Sequence, residues 1–479
     1  MSALRLRSVA VILASLACGT GMPFAMAAAA PGEIFPMVEQ QPVRPALTLR
    51  QAIDGALATN VQTLLANARR DEASANRAEA RSAFLPHVSG AVSQSRRQTN
   101  LAAQGFDFGD QLSNIDTPPG VGQSVSDISF PSVITYNSFD ARATLRQNLF
   151  DYSAWQQYRS AKIGEDIADD QLAVAREQVA AQAALDYVSA LAARESVAAA
   201  RADLDLADTL TTLATDQENV GIATGVDVTR AQTRAARARA RLAQTQTDQT
   251  RADIGLARTV GLALGAPITL ADTLNYQPVA VGPAAADVAQ AMVARPEVEL
   301  AATQIDQREK LLSAARGQRL PTLSAMANYG DSGNTYHENN EDTYAVGAQL
   351  EIPIFDGGAI SARVNGAASR LDQQRIRYRD TRTEVEQDVR LARRTLDTLS
   401  EQVAAADTAL DLANRELTLS RDRFANGISD NIEVIDAQAS LADARNTRVA
   451  ALADYTRARI NLAAALGRAQ QFRLESRAP

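Results

Sequence analysis

The sequence predicts a mainly α-helical protein with a smaller membrane β component, built as an internal duplication. Three observations support this prediction: a strict seven-residue apolar repeat in long stretches, four segments in which apolar and polar residues alternate, and a motif that occurs once in each half. A seven-residue repeat is typical of coiled coils, and alternation over about ten residues is typical of barrel strands. Four strands leave open edges that lipid cannot satisfy. We therefore predict a trimeric 12-stranded β-barrel, with four strands per chain, that continues into a long α-helical coiled-coil barrel.

The two halves of the chain share a glycine-containing motif. Residues 220–228 (VGIATGVDV) match residues 426–434 (NGISDNIEV), and the Leu-Gly pair at 264–265 matches the pair at 466–467. Such self-similarity indicates duplicated structure. We predict a first structural repeat at 47–265, a connector at 266–286, a second structural repeat at 287–467, and a C-terminal tail at 468–479 that lies unpacked.

The first residues have the features of an export signal, so 1–27 is predicted to be a signal peptide. Arg5 and Arg7 supply the positive region, residues 9–16 the apolar run, and Ala25-Met26-Ala27 the cleavage site. Cys18 is the one cysteine of the chain and lies inside this segment, so the mature protein would carry no disulfide. The sequence leaves open whether Cys18 is lipidated.

Each repeat begins with a helix that ends at a Leu-Pro pair and is followed by two strands. Thr48 is a good N-cap for a helix that we expect to continue to about Arg81, and a second helix is expected to begin near Asp287. The prolines Pro86 and Pro321 end these helices, because proline disfavours helix in the residue before it. After each proline the period changes to two. The apolar positions of the four strands are Val88, Gly90, Val92; Phe139, Ala141, Ala143, Leu145, Leu149; Leu323, Ala325, Ala327, Tyr329; and Tyr344, Val346, Ala348, Leu350, Ile352, Ile354.

Polar loops are predicted between the strands of each pair, at 97–137 and 331–342. Aromatic residues near the loop ends could form a girdle at the membrane surface. These residues are Phe130, Tyr136, Tyr329, Tyr336 and Tyr344.

Each pair of strands returns to helix at a corner and then enters a long helical hairpin. The corners contain Phe150-Asp151 and Phe355-Asp356-Gly357, in which the aspartates can cap the next helix. The hairpins are predicted at 155–264 and 361–466. In the second hairpin a coiled-coil seam, meaning the paired apolar columns that face a partner helix, is formed by Val389, Leu396, Val403, Leu410, Leu417, Phe424 and by Val385, Ala392, Leu399, Ala406, Ala413. After its tip, apolar spacing resumes at Ile432, Ile435, Ala439, Ala442 and Val449.

Little in the sequence points to catalysis, and we expect neither an enzyme nor a bound cofactor. The two histidines, His87 and His337, have no partner at metal-ligand spacing. A phosphate-cradling glycine motif with its lysine is also missing from the sequence. The net charge of −8 gives no support to nucleic-acid binding.

The combination of these motifs resembles the TolC-like outer-membrane efflux protein family. The resemblance extends from about Leu47 to Gly467. It depends on the two Leu-Pro pairs, the two Phe-Asp corners, the two tip motifs, the Leu-Gly pairs and Arg295-Pro296-Glu297-Val298.

This resemblance implies a homotrimeric conduit in the outer membrane of a Gram-negative bacterium that extends into the periplasm. It implies three further contacts: a periplasmic adaptor (membrane fusion) protein, an inner-membrane pump of the resistance-nodulation type or an ABC exporter, and outer-membrane lipid. The expected function is passive export of small toxic compounds as the exit duct of a tripartite efflux pump. Two alternatives stay open: the outer-membrane component of a type I protein secretion system and, more remotely, a periplasmic coiled-coil adaptor.

The resemblance also implies roles for particular residues. The adaptor would contact the hairpin tips, at Gly221, Ile222, Thr224, Gly225, Asp227, Gly427, Ile428, Ser429 and Asp430. Charged and polar side chains just before the second tip would close the tunnel at rest. Relatives use acidic residues there, whereas this sequence has Arg415 and Thr418, so we expect a mixed network involving Arg415, Arg421 and Asp422. The aperture candidates are Asp411, Arg415, Glu416, Thr418, Arg421 and Asp422, and an ordinary solvated helix face is the alternative.

One further charged feature lies behind the first tip. Arginines recur along the returning helix of the first hairpin, at Arg230, Arg234, Arg237, Arg239 and Arg241. Contact with an adaptor or with a neighbouring protomer would use this stripe, but solvation is the simpler interpretation.

Overall fold

The computed structural model describes residues 46–100, 103, 133–221, 223–279, 282–426, 428 and 431–474. The predicted signal peptide at 1–27, Cys18, Phe130 and most of the first loop lie outside the described residues. At the hairpin tips the same is true of Ile222, Gly427, Ser429 and Asp430.

The helix that opens the first repeat is two helices, α1 (Leu49–Thr59) and α2 (Val61–Ser82). Thr48 caps α1 as expected, because its hydroxyl accepts the N–H of Gln51, and the Gln51 side chain accepts the N–H of Thr48. The expectation of one unbroken helix to Arg81 is wrong. Asn60 has an extended backbone and its side chain accepts the N–H of Gln62, so it ends α1 and caps α2.

The second repeat opens in the same way. The single helix predicted from near Asp287 is instead α5 (Ala284–Ala294) and α6 (Pro296–Gly317). Arg295 is extended between them, as expected for a residue before proline. Pro296 is the first residue of α6, where its missing N–H costs no hydrogen bond.

The four strands form one antiparallel sheet in the order β1-β2-β3-β4. Strand β1 is His87–Asn100, β2 is Val133–Phe150, β3 is Thr322–Gly333 and β4 is Glu341–Glu351. The first loop is therefore shorter than predicted, since both of its flanking strands extend further into it. Ile352 and Ile354 lie beyond the end of β4, and not within it as the alternation suggested.

The pairing register aligns the apolar positions of all four strands on one face. Val88, Leu145, Ala327 and Val346 form one continuous row, and Gly90, Ala143, Tyr329 and Tyr344 form the next. Because side chains alternate between faces, the polar residues of each strand share the other face. Its members include Ser89, Thr144, Arg146, Asn328 and Gln349. The sheet is thus amphipathic over its whole width.

Two long helical hairpins carry the rest of the chain. The first is α3 (Tyr152–Asn219) with α4 (Gly225–Val260), and the second is α7 (Ala359–Ala425) with α8 (Asn431–Ala465). At 1.5 Å per residue, α3 and α7 each reach about 100 Å. The predicted seam of α7 is buried where it meets α8: Val385, Val389, Leu396, Val403, Leu417 and Phe424 are all at most 8% exposed.

The apolar face predicted for α8 is not the face that packs within the chain. Ile432 is 40% exposed, and the residues buried against α7 are Val434, Ala437, Leu441 and Ala444. Both sets recur at heptad spacing, so α8 carries two seams. The sequence pattern led to the one that this hairpin leaves partly open.

The connector and the tail both pack against the middle of the helices. The Tyr187 hydroxyl of α3 lies 2.7 Å from the Asp272 carboxylate and 2.8 Å from the Leu47 carbonyl oxygen. Burial raises the pKa of Tyr187 above its ordinary value. The unpacked tail that we predicted is wrong for its described part. Ala469 is fully buried in a short 3-10 helix, Ala469–Gln471, and its N–H donates to Glu177.

None of the helices in the described part of the chain is long and apolar enough to cross a bilayer.

Candidate functional site

The first hairpin tip is a tight turn built on a left-handed glycine. Helix α3 ends at Val220, and Gly221 follows with φ +81°. Two backbone bonds close the turn: Gly221 N–H donates to Glu218 O at 2.9 Å, and Ala223 N–H donates to Gln217 O at 3.2 Å. A side chain at Gly221 would meet no neighbouring atom, so glycine is required here for its backbone conformation rather than for space.

Asp227 fixes the start of α4. Its carboxylate accepts the Thr224 hydroxyl at 2.7 Å and the Thr224 N–H at 3.0 Å, and Arg230 lies 3.6 Å from its other oxygen. The hydrogen bonds from the Thr224 side chain and backbone lower the pKa of Asp227. Asp227 is therefore engaged in holding the tip, and Gly225 is the first residue of the helix that it caps.

The second tip has the same type of helix ending. Ile428 N–H donates to Arg423 O at 2.9 Å, which is the long bond of a Schellman ending. The Asn426 side chain donates to Asp422 O at 2.7 Å. Across the tip, Arg423 of α7 pairs with Glu433 of α8 at 3.3 Å. This pair joins the two arms of the hairpin at its end.

Large apolar side chains are exposed at both tips. Val220 and Ile428 are each 69% exposed, and Val226 is 57% exposed. Isolated exposed apolar residues need no explanation. Here they lie beside helix ends, where backbone groups are also available to a partner. The tips thus offer apolar contact area and hydrogen-bonding groups together.

The aperture candidates all lie on exposed positions of α7. The network that we expected is not formed within one chain: in the described part of the structure, none of Arg415, Arg421 and Asp422 forms an ion pair. Thr418 only returns its hydroxyl to Asn414 O at 2.9 Å. Positions 411, 415, 418 and 422 share one side of the helix, so any network among them must include a second copy of the chain.

The arginine stripe of α4 is partly paired with α3. Arg234 contacts the Asp203 carboxylate at 2.9 Å, and Arg239 lies 3.5 Å from Asp208. The Asp203 side chain is 10% exposed and also lies near Arg445 of α8. Burial raises the pKa of Asp203, and the two arginines oppose this shift.

Sequence reasoning missed Asp203. Its signal was the relation to Arg234, which lies 31 residues later and is repeated by Asp208 and Arg239.

The strand–helix corners are fixed by aspartates and glycines. Asp151 accepts the Ala154 N–H at 2.9 Å, and Asp356 accepts the N–H groups of Gly358 and Ile360. The Ile360 hydrogen bond is the main reason that the pKa of Asp356 is lowered. Gly357 (φ +67°) and Gly358 (φ +87°) make the swivel that no other residue type adopts readily. The other corner residues, Pro86, Phe150, Pro321 and Phe355, lie at the ends of the sheet.

Among the described residues, no group of three or more histidine, cysteine or acidic side chains is placed to hold a metal ion.

Comparison with known proteins places these features in a family. The sequence matches the family described as outer membrane efflux protein over residues 52–262 and 288–468. The chain belongs to this family. As an outer membrane efflux protein, it lies in the outer membrane and extends into the periplasm, where it serves as an exit duct for efflux or type I secretion.

Two relatives indicate the range of this efflux protein family. The alkaline protease secretion protein AprF of Pseudomonas aeruginosa is 26% identical over 352 residues, which cover 70% of this chain and 72% of AprF. The probable efflux pump outer membrane protein TtgC of Pseudomonas putida is 26% identical over 253 residues, 52% of each chain. The chain thus spans about half the length of TtgC.

The fold is shared with solved channels. The Campylobacter jejuni CmeC outer membrane channel superposes with a TM-score of 0.69 at 18% identity, covering 89% of this chain and 86% of CmeC. The efflux protein therefore has the TolC-like fold, a barrel that continues into a helical tunnel. Channels of this fold are homotrimeric and work with adaptors and inner-membrane pumps.

Proposed function

We propose that three copies of this chain form a passive duct that carries small toxic compounds from an inner-membrane pump, through a periplasmic adaptor, to the cell exterior. The observation that carries the proposal is that one chain is open at both ends of both of its layers. The sheet ends in two unpaired strands, and the row of long helices ends in two helices without an outer neighbour. Copies of the same chain complete both layers at once.

The open sheet is the first half of this argument. Strands β1 and β4 are the edges of the sheet, and each pairs on one side only. In lipid an unpaired row of N–H and C=O groups costs several kcal/mol per group. Pairing β4 of one copy with β1 of the next removes both edges, and closure after three copies gives twelve strands.

The helices make the same demand in the periplasm. Within one chain the long helices pack in the row α4–α3–α8–α7. Helix α4 already buries Val228, Ala231, Ala235 and Ala238 against α3. It carries a second heptad seam of small and β-branched residues, all exposed: Val226, Thr229, Thr233, Ala236, Ala240, Ala243, Thr247, Thr250 and Ile254. A strict heptad seam is made to pack against a helix, and the small residues allow close approach.

The hairpin tips are where we propose that the adaptor docks. Apolar side chains at Val220, Val226 and Ile428 would be covered, and the free backbone groups beside Gly221 would gain partners. Transport through such a duct makes and breaks no bond. Energy would come from the pump, in keeping with the lack of a phosphate-binding motif in the sequence.

A deletion strain tests the cargo. Loss of this gene from its native host should increase sensitivity to some of a panel of dyes, detergents and antibiotics, and a plasmid copy should restore resistance. A Gly221→Val copy, expressed at the same level, is the matched control for a duct that assembles without a working tip. Unchanged sensitivity to the whole panel would contradict a small-compound cargo.

A polypeptide cargo is the second candidate function. It is favoured by the match to AprF, which covers 72% of that secretion protein, against 52% for TtgC. Comparison of proteins in the culture medium of the wild-type and deletion strains separates the two. Disappearance of one exported protein with unchanged drug sensitivity would favour secretion.

A further inference from the structure

An apolar surface continues beyond the strands to the corners where the sheet becomes helix. The outward column of β4 runs through Tyr344, Val346 and Leu350 and is followed by Ile352 and Ile354, of which Ile354 is 95% exposed. Phe355 is 90% exposed. At the end of β2 the corner is similar, since Leu149 and Phe150 are 54% and 51% exposed. Side chains of this size are rarely left in water as a contiguous patch.

Aromatic side chains gather at the same level. Trp155, in the first turn of α3, makes edge-on contacts with Phe84 at a centroid distance of 5.9 Å and lies 5.9 Å from Tyr158. Trp155 nevertheless remains 48% exposed. A tryptophan with one side packed and one side open matches the membrane interface, where the indole ring is apolar but its N–H still needs a polar partner.

Positive charge lies next to this aromatic level, on the helical side. Within twelve residues of the four corners, in segments 75–86, 151–162, 309–320 and 355–366, eight cations stand against four carboxylates. Asp151 and Asp356 are already used in capping their helices, and Glu309 pairs with Arg375 at 3.1 Å. The surplus is therefore basic. It includes Arg159 and Lys162, which are exposed on α3 and form no ion pair in the described structure.

We propose that the four corners of each protomer lie in the headgroup region of the periplasmic leaflet, with Trp155 as the anchor and the basic residues in contact with lipid phosphates. This inference rests on the proposed barrel. It extends the lipid contact from the strands to α2, α3, α6 and α7, so the bilayer surface itself holds the first turns of the helical tunnel. Arginine and lysine side chains at that depth can bind phosphate while their stems stay in the apolar layer.

A neighbouring copy is the competing occupant of this surface, and its geometry argues against it. Neighbouring copies join in the plane of the sheet, through backbone groups of β1 and β4. Side chains such as Val346 and Leu350 project perpendicular to that plane. The exposed corner column continues on the same outward side, where lipid and not protein borders the sheet.

Trp155 is the only tryptophan of the chain, so the unmodified protein reports on its own corner. The mature protein would be reconstituted into phosphatidylcholine vesicles in which the acyl chains carry bromine either near the carbonyl end or near the terminal methyl group. We expect tryptophan emission to be quenched most by bromine near the carbonyl end, less by bromine near the methyl end, and little by aqueous iodide.

Two relocated tryptophans calibrate the experiment in a Trp155→Phe background. Val346→Trp, 79% exposed on the lipid face of β4, should be quenched most by bromine near the methyl end. Ile376→Trp, 57% exposed on α7 far from the corner, should be quenched by iodide alone. Both positions are exposed, so the larger side chain can be accommodated without repacking a core.

Three results would overturn the inference: iodide quenching of Trp155 equal to that at position 376, protection from all quenchers, or strongest quenching by methyl-end bromine. Protection from all quenchers would mean that a second copy covers the corner. Channel conductance in the same vesicles keeps this outcome apart from the proposed function. If the vesicles conduct but Trp155 gives one of these results, only the placement of the corners is wrong.

Discussion

Single residues hold the two hairpins together through a buried charge. The Asp203 carboxylate of α3 lies between Arg234 of α4 and Arg445 of α8, so one side chain links both hairpins. Arginine cannot lose its proton, whereas the raised pKa of Asp203 shows that this carboxyl group can gain one more readily than usual. Removal of the acid is therefore the more damaging change, because two cations are left without a counter-charge.

Asp203→Asn should lower the free energy of unfolding by about 3 kcal/mol, the cost of breaking a buried ion pair. Asp208→Asn is the matched control. It removes the same kind of α3–α4 pair, but the side chains of Asp208 and Arg239 are 50% and 68% exposed, so the cost should be only about 0–1 kcal/mol. Denaturant unfolding of the detergent-solubilised protein measures both. Equal effects would show that Asp203 is not a buried link.

Gly221 is a second residue whose chemistry is fixed by its backbone. Its φ of +81° is strained for any β-branched residue, at a cost of about 1–3 kcal/mol. Gly221→Val should therefore deform the tip and abolish export while leaving the protein assembled in the membrane. Gly90→Val is the control, because Gly90 has an ordinary backbone and open space around it. Wild-type export by the Gly221→Val variant would count against a role for the tip.

The capping interaction of Asp227 predicts a particular pH dependence. Its pKa is lowered in the folded protein, so its contribution to stability is complete above the unfolded value of about 3.9 and is lost as the pH falls through the lower folded value. Pepsin cleavage near the tip should therefore rise only below about pH 4. Asp227→Asn should show the raised cleavage rate already at pH 5. If the variant matched the wild type at pH 5, the cap would not be what orders the tip.

At the scale of elements, the sheet is the part whose sequence pattern was most informative. Alternation identified the apolar face of all four strands, and the register aligns those faces in rows. A two-residue period has only two possible orientations, so the membrane face follows directly from the pattern. Strand ends were less accurate, because Ile352 and Ile354 keep the alternation after the backbone pairing of β4 has stopped.

Leu350→Arg tests the orientation of β4. Leu350 is 60% exposed on the apolar face, where an arginine should cost about 2–4 kcal/mol near the middle of the membrane. Gln349→Arg places the same side chain on the opposite, polar face and should be tolerated. Heat-modifiable migration of the membrane fraction on gels would report assembly. If Gln349→Arg were the variant that failed, the strand would be inside out.

The helices were predicted in number of hairpins and in length, but not in all their breaks. Asn60 was missed because the apolar spacing of α1 and α2 continues across it, while its capping role became visible only in its extended backbone. The inner face of α8 was misassigned for a different reason. A helix in a ring needs a seam on each side, and a sequence pattern cannot say which of two seams meets its own hairpin.

At the scale of the whole molecule, the chain is incomplete in a way that specifies its assembly. Two edge strands and the exposed seam of α4 all need partners, and a closed ring of identical copies supplies them together. The aperture residues follow the same rule. Asp411, Arg415, Glu416, Thr418, Arg421 and Asp422 are exposed in one chain, so they can form the predicted network only across copies. Neither the ring nor that network can be found from a single sequence, because both arise between chains.

Native mass spectrometry of the protein extracted from outer membranes tests this central claim most directly. The account predicts one dominant species with three times the mass of the mature chain, which persists until the detergent is made denaturing. A stable single chain that stays soluble after the detergent is removed would contradict it, since its open sheet edges and exposed seam would then need no partner.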